Sequence, residues 1–135
     1  MTKSICFWAA AFFLGLTACD SGGGETGRAQ PTKMTIANPY HDKLMGLSVL
    51  NRSLGLRRAI QDTGQGCTRI TASGYQAPYK GLHVWIGRCA PEGDYAVFIA
   101  PNGDAQVRRC KDVQTLMLPA CRTESLDSVP RITAG

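Results

Sequence analysis

The sequence predicts an α+β fold: an N-terminal helix packed on a three- to four-stranded antiparallel meander and stapled by disulfides. Three observations carry that prediction. Leucines recur at helical spacing after Asn38-Pro39, short β-branched and aromatic runs follow Cys67, and the turn A-P-x-G-D occurs at 90–94 and again at 100–104 between those runs.

The helix comes first. Asn38 offers an N-cap side chain, Pro39 a pre-set first-turn φ, and Asp42 a carboxylate at the positive end of the helix dipole. Leu44, Leu47, Leu50 and Leu54 form a stripe expected to face the core. Ser53 with Gly55 marks where the helix bends or restarts before Leu56, Ala59 and Ile60, and Gly64 and Gly66 end it.

The strands follow as CTRITAS, LHVWIGRCA, YAVFIA and AQVRRC. Each A-P-x-G-D copy offers Pro at the second position of a type I turn and a Gly free to take positive φ as a bulge residue. On that geometry Ala90 faces Asp94 and Ala100 faces Asp104. Counting outward sets Trp85, Ile99 and Ala105 in one cross-strand row, Gly87, Val97 and Val107 in the next, and Cys89, Tyr95 and Arg109 in the third. Alternation then puts Val84, Ile86, Arg88, Ala96, Phe98, Ala100, Gln106 and Arg108 on the opposite face. The helix is expected on the Trp85 face, with Gly87 leaving room for it. The second face is expected to be covered by the chain's own TLMLPAC segment, the alternatives being a second copy or a partner.

The N-terminus reads MTKSICFWAAAFFLGLTAC: Lys3, a twelve-residue apolar run from Ile5 to Leu16, then Thr17 and Ala18 before Cys19. That is the layout of a secretory leader, and the run is shorter than the roughly 20 residues a spanning helix needs. Leu16-Thr17-Ala18-Cys19 resembles the lipobox of bacterial lipoprotein precursors. The resemblance implies a diacylglycerol thioether on Cys19, cleavage just before it, and a membrane anchor facing the periplasm of the cell envelope. Asp20 resembles an inner-membrane retention signal of enteric-type sorting, which leaves the choice of membrane open.

The domain plan is a leader over 1–18, lipidated Cys19 and a flexible tether over 19–37, a small α+β domain over 38–122 and a tail over 123–135. Most of the tether, DSGGGETGRAQPTKMT from Asp20 to Thr35, has four Gly and no apolar periodicity. Its 18 residues from Asp20 to Ala37 reach roughly 25 Å r.m.s. and roughly 60 Å when stretched, enough to stand the domain clear of a membrane.

Losing residues 1–18 removes Lys3 and leaves 14 basic against 10 acidic residues, a net charge of +4. Outside the cytoplasm that charge suits an envelope protein or anionic polymer as partner, and not nucleic acid.

Cys6 leaves with the leader and Cys19 is acylated, so Cys67, Cys89, Cys110 and Cys121 remain. Four cysteines in an oxidising compartment read as two disulfides. Cys89 and Cys110 point to opposite sheet faces on non-adjacent strands. Cys67 can lie opposite Cys89 if a loop from Gly74 to Gly81 joins their strands. The favoured pairs are therefore Cys67 with Cys89 and Cys110 with Cys121. Zinc is disfavoured, because the closest spacing is eleven residues and there is no C-x-x-C; the same absence removes a thioredoxin-like motif.

No catalytic constellation and no cofactor motif emerges. His41 and His83 lack a G-x-S-x-G serine or a free thiol to activate, and read as solvated or core-edge residues. Asp94 and Asp104 sit in turns without a D-x-D-x-D calcium pattern. Arg88 and Arg108 flank Ala96 on an otherwise apolar face, with Gln106 nearby, and form a candidate site for a carboxylate or phosphate of a partner.

One helix leading into an antiparallel meander, over 39–110, is similar in outline to the helix-plus-three-strand unit of PepSY-like periplasmic modules and to small Cys-paired envelope proteins of Gram-negative bacteria. The likeness implies a non-catalytic binding or assembly module, with a small envelope hydrolase or redox protein as the alternative.

Overall fold

The computed structural model describes residues 36–131. The expected leader, the lipobox-like residues with Cys19 and the expected tether up to position 35 lie outside the described residues. No helix among the described residues is long and apolar enough to cross a membrane.

The leucine-rich segment forms two helices, α1 (Pro39–Gly46) and α2 (Val49–Asp62). Asn38 caps α1 as its sequence position demands, its Oδ1 accepting from the His41 N–H at 3.0 Å. The break falls at Leu47-Ser48, not at Ser53-Gly55. Leu47 is extended, and Ser48 becomes a second N-cap by accepting from the Asn51 N–H at 3.3 Å. Gly55 stays helical; a Cβ there would lie 3.6 Å from Leu44 Cδ2, so the glycine is where α1 folds against α2.

Five antiparallel strands follow in the order β4-β3-β2-β1-β5. They are β1 (Arg69–Tyr79), β2 (Leu82–Ala90), β3 (Gly93–Ile99), β4 (Ala105–Arg109) and β5 (Asp127–Ser128). The expected meander is thus β1 to β4, with one short strand added. That strand lies beyond position 122: Ser128 and Asp127 pair with Ala72 and Ser73, so the sheet reaches into the segment expected to be a tail.

Strand β1 is also longer than expected. Gly74 to Gly81 is not a loop; β1 runs through Tyr79, and Lys80-Gly81 makes the turn, both at positive φ.

The two A-P-x-G-D copies close differently. The second behaves as expected, with Ala100 N–H donating to Asp104 O at 2.9 Å and Gly103 at φ +92°. The first closes within Ala90-Pro91-Glu92, the Ala90–Pro91 bond is cis, and Gly93 enters the ladder opposite Cys89. The β2–β3 register therefore differs from the expected one by two: Trp85 faces Val97, not Ile99, and Gly87 faces Tyr95. Two contacts hold this register. Arg88 lies directly across from Asp94, and Glu92 reaches back to accept from the N–H and hydroxyl of Thr68. A shift of two leaves every side chain on its expected face.

Trp85, Tyr95, Val97 and Val107 are buried beneath Leu56 and Ile60 of α2. Each such burial contributes about 1.5–3 kcal/mol before the entropy of ordering is set against it. A Cβ on Gly87 would meet Ile70 Cδ1 at 3.1 Å and Ile60 Cδ1 at 3.6 Å, so the glycine does make room on this face.

The opposite face, Val84, Ile86, Ala96 and Phe98, is covered by the chain itself through Val113, Leu118 and Leu126. Gln76 pins that cover by donating to Ala120 O and accepting from the Arg122 N–H.

The leucine stripe is only half core. Leu44 and Leu47 are partly buried, but Leu50 and Leu54 are 37% and 53% exposed. Arg52 and Ser53 take the inward positions beside Leu56 and Ile60. Ser53 Oγ bonds Ser73 Oγ at 2.9 Å in the buried seam between α2 and β1, where the short side chains let helix and strand approach.

The disulfides join Cys67 to Cys89 and Cys110 to Cys121, with Cα separations of 5.3 and 5.6 Å, the pairs favoured from spacing and facing. Arg57 Nε and Gln61 Nε2 both donate to Cys67 O, tying α2 to the first of them.

Candidate functional site

The structure separates the three side chains expected to form an anion site. Arg88 is committed to Asp94 by a two-toothed pair, Nε to Oδ1 at 2.9 Å and a terminal nitrogen to Oδ2 at 3.2 Å. Hydrogen bonding to that carboxylate raises the Arg88 pKa further, so its charge is fixed and locally neutralised. Arg108 and Gln106 instead border a shallow hollow of about 380 Å³ with Lys80, between Tyr79, Phe98 and Leu118. Arg108 spends one nitrogen on Val107 O at 2.7 Å. Cys19 lies outside the described residues. The four cysteines of the domain are all in disulfides and offer no thiol.

The fold brings together two histidines that the sequence keeps 42 positions apart. Asn38 achieves this: its Oδ1 caps α1 while its Nδ2 donates to Ile99 O at 2.9 Å, anchoring the helix start to β3. His41 then stacks on His83 with ring centroids 3.8 Å apart and planes 17° from parallel. Tyr75 OH lies 3.0 Å from His83 Nδ1, and Trp85 forms the floor.

Burial, and secondly His83, lower the His41 pKa, against a smaller upward pull from Asp42. Burial raises the Tyr75 pKa, so the phenol keeps its proton and can donate to His83 Nδ1 in the tautomer protonated at Nε2. A phenol held protonated is a poor nucleophile, so the cluster can relay or bind a proton but has no activated attacking group in Tyr75. No three His, Cys, Asp or Glu side chains converge as a metal site requires among the described residues.

A second concavity lies elsewhere, between α2 and the chain from Ser128 to Arg131. It is an open groove of about 610 Å³. Leu50 and Leu54 of α2, Ile70 of β1, Val129 and Pro130 supply aliphatic walls, and Arg57, Arg69 and Arg131 stand at its rim. No carboxylate lines it, and none of these three arginines has an ion-pair partner among the described residues.

The backbone explains the groove. Pairing of Ser128 with Ala72, and the Val129 N–H donating to Thr71 O at 2.8 Å, carry the chain along the outer edge of β1 opposite the outer leucines of α2. Periodicity alone assigns Leu50 and Leu54 to the core. What it cannot register is that Arg52 and Ser53 occupy the inward positions, because Arg52 is buried by stacking 5.5 Å over Trp85 and pairing with Asp127.

No family model, no curated protein and no solved structure matches the chain.

Proposed function

We propose that the chain is a non-catalytic binding module, held at an envelope membrane by lipid on Cys19 with its domain facing the periplasm. The observation that carries the reading is the groove between α2 and residues 128–131. Two leucines stand exposed over it, and three arginines that have no ion-pair partner among the described residues line it. Exposed apolar side chains beside convergent cations form a surface that can bury the apolar part of a ligand while pairing with its anionic part. The lipobox-like residues 16–19 and two disulfides suited to an oxidising compartment support the same reading.

A small envelope hydrolase or redox protein is the second reading, and the His41–His83–Tyr75 cluster is what favours it. Burial raises the Tyr75 pKa, which argues against Tyr75 as the nucleophile of such an enzyme. Cys67 and Cys89 are 3% and 2% exposed and shielded from a redox partner, so a redox reading would rest on the partly buried Cys110–Cys121 pair.

The test is a photo-crosslinking residue at position 54 in intact cells, with position 111 on the opposite side of the domain as control. A discrete adduct formed from 54 and not from 111 is expected. Equal labelling from both positions, or none from 54, contradicts the reading.

A further inference from the structure

We infer that the ligand of this groove is a single-chain amphiphile, an aliphatic chain ending in a carboxylate or phosphate. The inference rests on the binding-module reading and specifies the chemistry of its ligand.

Size argues first. Eleven of the described residues line the groove, fewer than the roughly 20–30 that each side of a stable protein interface contributes. Its volume of about 610 Å³ falls within the roughly 300–1,000 Å³ of small-ligand clefts.

Wall chemistry argues second. Leu50, Leu54, Ile70, Val129 and Pro130 are aliphatic, and among the described residues no aromatic ring lines the groove to stack on a planar ligand. Methylene chains fit such walls, and removing each buried CH₂ from water gains about 0.8 kcal/mol.

Charge argues third. Arg57 uses Nε on Cys67 O at 3.2 Å, which fixes its fork and leaves the terminal nitrogens for a ligand. Arg69 and Arg131 face it without a competing carboxylate in the lining. Guanidinium forks match carboxylate and phosphate geometry, whereas a neutral or cationic head would leave three like charges uncompensated.

The test is photolabelling of the full chain, disulfides intact, in native membranes. Diazirine-bearing dodecanoate and dodecyl phosphate are the probes, and the matching dodecanol is the neutral control. Label is expected on peptides containing Leu54 and Val129, competed by unlabelled probe. Whether dodecanoate or dodecyl phosphate labels more heavily tells which head group is preferred.

Arg69→Gln is expected to lower labelling about tenfold, the loss of one charge-assisted hydrogen bond. Leu54→Asp, at a position already exposed, is expected to abolish it by setting a carboxylate against the head group while the Cys67–Cys89 peptide stays joined. Equal labelling by dodecanol, label confined to other peptides, or undiminished label in both variants overturns the inference. If position 54 crosslinks to a protein while neither amphiphile labels the groove, the ligand class is wrong and the binding module stands.

Discussion

Asn38 shows how much one side chain can organise. Its carbonyl oxygen caps α1 and its amide nitrogen holds Ile99 O, in a site 2% exposed. Replacing it by Ala removes a cap and strands a buried carbonyl, so Asn38→Ala is expected to cost about 2–3 kcal/mol, read as a lowered urea midpoint. A loss below about 0.5 kcal/mol would mean that α1 is not held in this way. The cap was legible in the sequence because Asn-Pro followed by Asp is a local signal; the reach to β3 was not, because it joins positions 61 apart. The same distinction separates Leu56, a core residue by any periodicity, from Leu54. Leu54 lost its inward place to Arg52 and Ser53, whose partners Asp127 and Ser73 are distant in the chain.

At the scale of elements, the two turns with one motif are the instructive pair. Both present A-P-x-G-D, and only the second takes the expected register. What decides the first lies outside the motif: Arg88, six positions from Asp94 across the hairpin, and Thr68, 24 positions from the Glu92 it holds. Gly93 and Gly103 both have positive φ, but a Cβ on Gly93 meets nothing within 4 Å while one on Gly103 would lie 2.6 Å from the Tyr40 ring. Gly103→Ala should therefore destabilise the domain more than Gly93→Ala, by about 1 kcal/mol or more, and shift the NMR signals of α1. Equal losses would show that α1 does not rest on the β3–β4 turn.

The docking of α1 is also pH-dependent. His41 has a pKa depressed below the ordinary value of about 6.5. The unfolded chain therefore binds its proton first as pH falls, and stability present above about pH 6.5 is lost as pH drops through the folded value. Tyr75, His83 and Asp42 surround it, and of these only Asp42 opposes the shift. His41→Phe, which keeps the stacking ring, is expected to flatten the fall in thermal midpoint between pH 7 and pH 5. An unchanged slope would place the titration elsewhere. Glu92, held below its ordinary pKa chiefly by Thr68, governs a separate loss below about pH 4.5.

For the whole molecule, the two disulfides hold different halves. Cys67–Cys89 fastens the chain entering β1 to β2 under α2, and Cys110–Cys121 closes the segment that covers Phe98 and Ile86. Replacing Cys110 and Cys121 with Ala is expected to cost about 2–3 kcal/mol and to make the Phe98 face bind a hydrophobic dye, while the Cys67–Cys89 peptide remains intact. Dye binding no greater than in the native protein would show that packing of Val113 and Leu118 alone secures the cover. Fold class, sheet faces and cysteine pairing were legible because each follows from alternation and turn spacing. The fifth strand and the groove were not: Asp127-Ser128 is too short to signal a strand, and the groove exists only because that pairing carries residues 128–131 past α2. The domain is proposed to work tethered, and the mass of the N-terminal peptide from membrane-purified protein tests that most directly. A peptide beginning at a diacylglyceryl-modified Cys19 is expected; one that retains residues upstream of Cys19, or begins at an unmodified residue, contradicts the anchored module.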